Sequence, residues 1–379
     1  MKILIATGIF PPDIGGPATY SKTMSEEFAK SGHGAMVVTY GDDGESRIKG
    51  QKSKQSEPRI KKVSRRYPKG FRHLVYFGKV LWNGRNADII FSQDPVSSGF
   101  PAMIASFILR KKFVVKVVGD YAWEQGVYRY GVKELLDAFL KKKQKGMVRF
   151  LSKVQKAVVL RADRIIVPSA YLKSVVRQWG IEGYKITVIP NALFSTFNVK
   201  RIGKKKAGTV FLSVGRLVPW KGFSMLIELM DDFPEATLII VGDGPEYKKL
   251  EAESQRRKVK NVLLAGKKSV EGLMDLYQKA DIFLLNTGYE GFSHQILEIM
   301  AAGIPIITTD AGGNKEIIRD GENALIASYN EKREWRSAIE RLLKDTDLQK
   351  KIEMGGMETA SHYTKEEMVK RTVRLFGSL

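Results

Sequence analysis

Short apolar runs alternate with helix-length segments along this whole chain, and that rhythm limits the fold more than any single motif does. In the first half the runs fall at 2–7, 35–40, 87–92, 113–118, 164–167 and 185–189. In the second they fall at 209–214, 237–241, 261–264, 282–285, 305–308 and 324–327. Strands of this kind, separated by helical patterns, imply parallel sheets covered by helices on both faces. Six runs in each half of 379 residues predict an α/β chain of two doubly wound, Rossmann-like domains. Pro190-Asn191, with the polar, basic stretch 198–208 behind it, marks the boundary between domains at 1–190 and 191–363. A last helical pattern occupies 364–379.

Composition removes several classes of function. The opening MKILIATGIF is cut off by Pro11-Pro12 and reads as a buried strand, not a signal peptide. No stretch reaches the roughly 18 apolar residues that a spanning helix needs, so a soluble or peripheral protein is expected. The absence of cysteine excludes disulfides, a zinc–thiolate site and a cysteine nucleophile, and fits a reducing cytoplasm. Residues 1–190 hold 34 Lys and Arg against 15 Asp and Glu, so +19 of the formal +22 lies there. Within that half, 47–72 is a basic tract and 141–164 has the pattern of a basic amphipathic helix. Such patterning points to an anionic partner, whether membrane surface, nucleic acid or acidic polymer, and also fits an ordinary solvated basic surface.

The stretch 281–313, DIFLLNTGYEGFSHQILEIMAAGIPIITTDAGG, carries the most chemistry. A helix opening near Phe292 aims unpaired N–H groups and the positive end of its dipole at an anion. Glu298, one to two turns inside, is placed to chelate the vicinal diol of a ribose, and Glu290 to reach hydroxyls on the other side of the anion. Diol, diphosphate and second polyol outline a nucleotide sugar. The spacing alone equally fits a solvated helix with two ordinary glutamates.

Three further motifs decide between these. Residues 211–223, FLSVGRLVPWKGF, and 239–245, IIVGDGP, follow strands in the second half, and Gly15-Gly16 follows the first strand. All four lie where ligands of open parallel sheets bind, beyond the carboxyl ends of the strands, and imply one cleft between two domains. In order and wording they resemble the family-4 glycosyltransferases, retaining enzymes of the GT-B fold, over most of the chain. In that family the last helix crosses back to the first domain, so 364–379 is assigned there.

The resemblance implies donor contacts from Gly15, Gly16, Gly215, Asp243, Gly244, Gly291, Phe292, Ser293, His294 and Glu298, and catalytic roles for Arg216, Lys221, Glu290 and Asp120. Arg216 and Lys221 would stabilise the charge that develops on a departing diphosphate, which removes the need for a divalent metal. Asp345-Thr346-Asp347 fits the Asp-x-Asp metal pattern in form only, since it lies in a late helical region. Gly119-Asp120 stands where the family commonly has His-Asp, which leaves the hold on the donor sugar open. Asp120 is a candidate for hydroxyls of sugar or acceptor, or else a turn or helix cap, and Tyr121, Trp123 and Glu124 could add a stacking platform. No covalent nucleophile is placed, and front-face attack is the family's usual description.

The expected activity is therefore transfer of a hexose from a UDP- or GDP-sugar, with no further cofactor, to a hydroxyl acceptor held by the basic first domain. The basic surface fits a lipid-linked or polysaccharide acceptor and a cytoplasmic enzyme peripheral to the inner face of an anionic plasma membrane. A GT-B-type nucleotide-sugar epimerase is the alternative among enzymes. A nucleic-acid-binding protein is the alternative outside them, though it lacks a recognised motif and leaves Glu290, Glu298, Arg216 and Lys221 unused.

Overall fold

The computed structural model describes residues 1–13, 15–42, 46–47, 58–194, 208–257 and 260–379. They divide into two compact units, one of Met1–Tyr130, Phe139–Pro190 and Lys365–Leu379, the other of Gly131–Ala138 and Asn191–Thr364. The short piece Gly131–Ala138 thus belongs with the second unit although it lies inside 1–190.

In the first unit the described strands are β1 (Lys2–Ala6), β2 (Gly34–Tyr40), β3 (Ser46–Arg47), β4 (Arg59–Val63), β5 (Ile89–Ser92), β6 (Lys112–Lys116), β7 (Arg164–Val167) and β8 (Ile186–Val188). They form one sheet in the order β3-β4-β2-β1-β5-β6-β7-β8, parallel except where β3 meets β4. β1, β5 and β7 are almost wholly buried, as strands covered on both faces must be. β3 and β4 lie in the basic tract and are not among the six expected runs. In β4 only Ile60 and Val63 are buried, while Arg59, Lys61 and Lys62 break the apolar pattern. The remainder of that tract's first part, 48–57, and the linker 198–207 lie outside the described residues.

The second unit holds β9 (Thr209–Val214), β10 (Ala236–Val241), β11 (Val262–Gly266), β12 (Ile282–Leu285), β13 (Ile306–Thr308) and β14 (Leu325–Ile326). All pair in parallel, in the order β11-β10-β9-β12-β13-β14. Phe211, Leu226, Ile240, Leu284 and Trp335 fill the core on one side, and Leu212, Phe283, Ile296 and Ile299 on the other. Winding reverses between β9 and β12, because β10 and β11 follow on one side while β12 to β14 follow on the other. A crevice opens beyond the carboxyl ends of strands at such a switch point.

The basic pattern at 141–164 resolves differently from expectation. The helix is Gly146–Arg161, so Lys141, Lys142, Lys143 and Lys145 precede it rather than riding on it. Among the described residues no helix is long and apolar enough to cross a membrane.

Candidate active site

The second unit's crevice is built by the loops that leave β9, β10 and β12. Beyond β9, Gly215 N donates to Val241 O at 3.0 Å and Leu217 N to Asp243 O at 3.0 Å, which stitches this loop to the one leaving β10. The approach is so close that a Cβ on Gly242 would sit 1.8 Å from Gly215 O, and one on Gly244 2.3 Å from Leu217 O. Glycine is therefore required at both positions by space, and at Gly242, with φ +150°, by backbone angle as well. Gly244 N also donates to Asp243 Oδ1 at 2.7 Å, so one oxygen of Asp243 serves its own turn. Arg216 stands exposed on the rim.

Lys221 ends a short 3-10 turn, Pro219–Lys221, and Gly222 follows in the left-handed region at φ +53°. Asn286, the first residue beyond β12, donates to Gly222 O at 2.9 Å and to Asn330 Oδ1 at 2.8 Å. Gly288 N donates to Trp220 O at 2.7 Å, so the β9 and β12 loops are laced together from both sides. Across that seam the Lys221 amine meets the Glu290 carboxylate in an ion pair, with side chains only 9% and 12% exposed. The expected cation and the expected acid are thus brought into direct contact.

Gly291, Phe292 and Ser293 are buried behind Glu290. Phe292 packs on Tyr363, and Asn191 Nδ2 donates to its carbonyl at 3.2 Å. Ser293 caps the helix His294–Ala301, whose first turn holds no acidic residue. His294 is half-buried with its ring 5.3 Å from that of Phe194. The helix ends where Gly303 takes φ +64° and its N–H bonds Met300 O at 3.0 Å, the left-handed stop that glycine allows.

Glu298 lies inside this helix and accepts a hydrogen bond from Tyr277 Oη at 3.1 Å. Burial pushes its carboxyl up to about 7, and the Tyr277 bond opposes that only in part. Burial, with the Glu298 carboxyl as the lesser cause, raises the Tyr277 hydroxyl as well. Tyr277 and Asn286 are site residues that sequence reading misses. Asn286 could have been found from its place just past a strand end, but nothing local marks Tyr277, which reaches Glu298 from another helix.

In the first unit Gly15, at φ +154°, precedes the helix Gly16–Lys30, which has no side-chain cap and no acidic residue in its first turn. Asp120 does not line an open surface. It is 1% exposed, caps the helix Tyr121–Arg129 by accepting from Trp123 N at 2.9 Å, and accepts from Gln155 Nε2 at 3.0 Å. Burial raises its carboxyl above the ordinary range. Trp123 is fully buried, which corrects its place in a stacking platform. Asp345 likewise caps a helix, Thr346–Ser361, by accepting from Leu348 N at 2.8 Å. Among the described residues no group of three or more His, Cys, Asp or Glu could hold a metal ion.

Comparison with known proteins meets this geometry on both units. Residues 14–193 match Glycosyltransferase Family 4, and residues 194–358 match Glycosyl transferases group 1. The chain belongs to the group 1 glycosyltransferases. This glycosyltransferase is 25% identical over 382 residues to the uncharacterized glycosyltransferase MJ1178 of Methanocaldococcus jannaschii, covering 100% of this chain and 99% of that one. It is 28% identical over 204 residues to the lipopolysaccharide core biosynthesis glycosyltransferase LpsE of Rhizobium meliloti, covering 51% of this chain and 58% of that one. Among solved structures it resembles Anabaena Alr3699/HepE in complex with UDP and glucose, with TM-score 0.79 and 19% identity over 100% of both chains. Its two Rossmann-like domains are those of the GT-B class. The epimerase and nucleic-acid readings gain no support from these matches.

Proposed function

We propose that this glycosyltransferase moves a hexose from a UDP- or GDP-sugar to a hydroxyl acceptor, lipid-linked or polysaccharide, with retention and without a metal ion. The observation that carries this reading is the buried Lys221–Glu290 pair across the switch-point seam, at the mouth of the helix that holds Glu298. The Lys221 cation, with Arg216 at the rim, offsets charge growing on the departing diphosphate. The backbone N–H groups of Gly291 to His294 donate to its oxygens. Glu298 takes the ribose hydroxyls, and Glu290 holds Lys221 in place while reaching hydroxyls of the donor sugar. Asp243 and Gly244 border the nucleotide.

In the reaction the bond from anomeric carbon to phosphate oxygen breaks and the bond to the acceptor oxygen forms on the same face. The departing phosphate oxygen takes the acceptor proton. Asp120 has no part in this reading, since its carboxylate is already engaged. HepE is described in complex with UDP and with UDP-glucose, which favours uridine among the two bases. LpsE belongs to lipopolysaccharide core biosynthesis, which favours a glycolipid acceptor met at the cytoplasmic face of an anionic membrane.

A panel of UDP- and GDP-sugars, followed by thermal shift and slow hydrolysis, tests the proposal. One nucleotide sugar should stabilise the protein and be hydrolysed slowly without acceptor. A panel in which none does either would overturn it.

A further inference from the structure

One face of the first unit has no use in this reaction. The helices Lys69–Gly84, Gly99–Leu109 and Gly146–Arg161 lie side by side over the sheet, the first against the second and the second against the third. Each buries an apolar side, as Tyr76 and Val80, Ala102 and Ala105, and Val158 and Val159 show. An ordinary surface helix turns charge toward solvent on its other side. Here that side is largely apolar on the first two helices, and on the third Arg149, Lys153 and Lys156 are exposed beside Phe150. Phe71, Leu74 and Trp82 are 53%, 67% and 68% exposed along the first helix. Phe107 and Ile108 are 64% and 55% exposed on the second, and Phe150 is 58% exposed on the third.

The charge that these helices carry has one sign. None of the three helices contains Asp or Glu. The Arg85 guanidinium lies 4.5 Å from the Trp82 ring centroid, and that of Arg161 5.1 Å from the Phe107 centroid. The second contact also joins the end of the third helix to the outer side of the second.

We infer that this three-helix face docks on an anionic lipid bilayer, with the aromatic and aliphatic side chains at the acyl boundary and the arginines on the headgroups. A lipid interface takes both halves of this chemistry at once. A second copy meeting face to face would set arginines against arginines, because a two-fold contact is self-complementary. Nucleic acid would satisfy the cations and leave the exposed apolar side chains without a partner. The inference rests on the proposed function only for its purpose, which is to bring the enzyme to a lipid-borne acceptor. The docking itself is measured without donor.

Trp82 supplies the readout, since Trp123, Trp179, Trp220 and Trp335 are all buried. Vesicles of phosphatidylcholine with and without phosphatidylglycerol are mixed with the full chain, and binding is followed by cosedimentation and tryptophan emission. Binding and a blue shift are expected on the anionic vesicles and not on the neutral ones. The double variant Trp82→Ser, Phe107→Ser is expected to bind at least about tenfold more weakly, equivalent to about 1.4 kcal/mol. Its thermal unfolding and its hydrolysis of nucleotide sugar should stay unchanged, because both side chains are exposed and outside the donor site. Loss of hydrolysis in both proteins would count against the proposed function and leave the docking result standing. Equal binding of the double variant and wild type, wild type without affinity for anionic vesicles, or a dimer that the double variant dissolves would each overturn the inference.

Discussion

At the scale of single residues, the fold carries the Glu298 carboxyl into the neutral pH range. It sits at about 7 in the folded chain against 4.5 ordinarily. Between those values the folded state holds a proton that the unfolded state has released. That contribution is fully present below the lower value and is lost as pH rises through the upper one. Without ligand, stability should therefore fall across this window by up to about 3 kcal/mol. Glu298→Gln should flatten the trend, and chemical denaturation at about pH 5 and about pH 8 checks it. A profile that is identical in wild type and variant would show that another group titrates. Asp120 supports a different expectation. Asp120→Ala removes a helix cap and the acceptor of Gln155 Nε2, and should cost about 2 kcal/mol of stability. Donor hydrolysis measured well below the melting point should stay as in wild type, and a selective loss of turnover would return Asp120 to the active site.

At the scale of elements, the glycine loops decide whether the crevice exists. A methyl group on Gly244 would meet the Leu217 carbonyl at 2.3 Å, so Gly244→Ala must push the β10 loop off the β9 loop. Nucleotide-sugar affinity is expected to fall by about tenfold or more, with the circular dichroism of the sheet retained. Unaltered affinity in calorimetry would mean that the stitched loops do not shape the site. These loops were legible in the sequence because each follows an apolar run that only a doubly buried strand explains. All twelve such runs are strands, within a residue or two at their ends. β4 was not legible, because its charged residues mask two buried positions. The spacing of the lysines at 141–145 continues the helical pattern, yet the helix begins at Gly146. Asp120 and Trp123 look like site residues when read in order and prove to be a cap and a core side chain. Burial is a property of neighbours distant in the chain, and a local pattern does not carry it. The bond from Tyr277 to Glu298 was hidden for the same reason.

At the scale of the whole molecule, the two units divide the labour that the proposed function needs. The second carries the paired Lys221 and Glu290, the capped helix and Glu298 within its own switch-point crevice. The first carries nearly all the excess positive charge and an outer face that is apolar and basic together. Donor chemistry and surface attachment should therefore separate on mutation, and a variant that loses one should keep the other. The central claim is that the second unit binds a nucleotide sugar through side chains and amides, with cations of its own in place of a metal ion. Calorimetric titration of one UDP-sugar and one GDP-sugar in EDTA, into wild type and Glu298→Ala, tests this most directly. Wild type should bind one of them under chelation, and Glu298→Ala should bind it more weakly by about 1.5–3 kcal/mol, roughly ten- to a hundredfold. Binding that requires added magnesium, or equal affinity in the two proteins, would contradict the account.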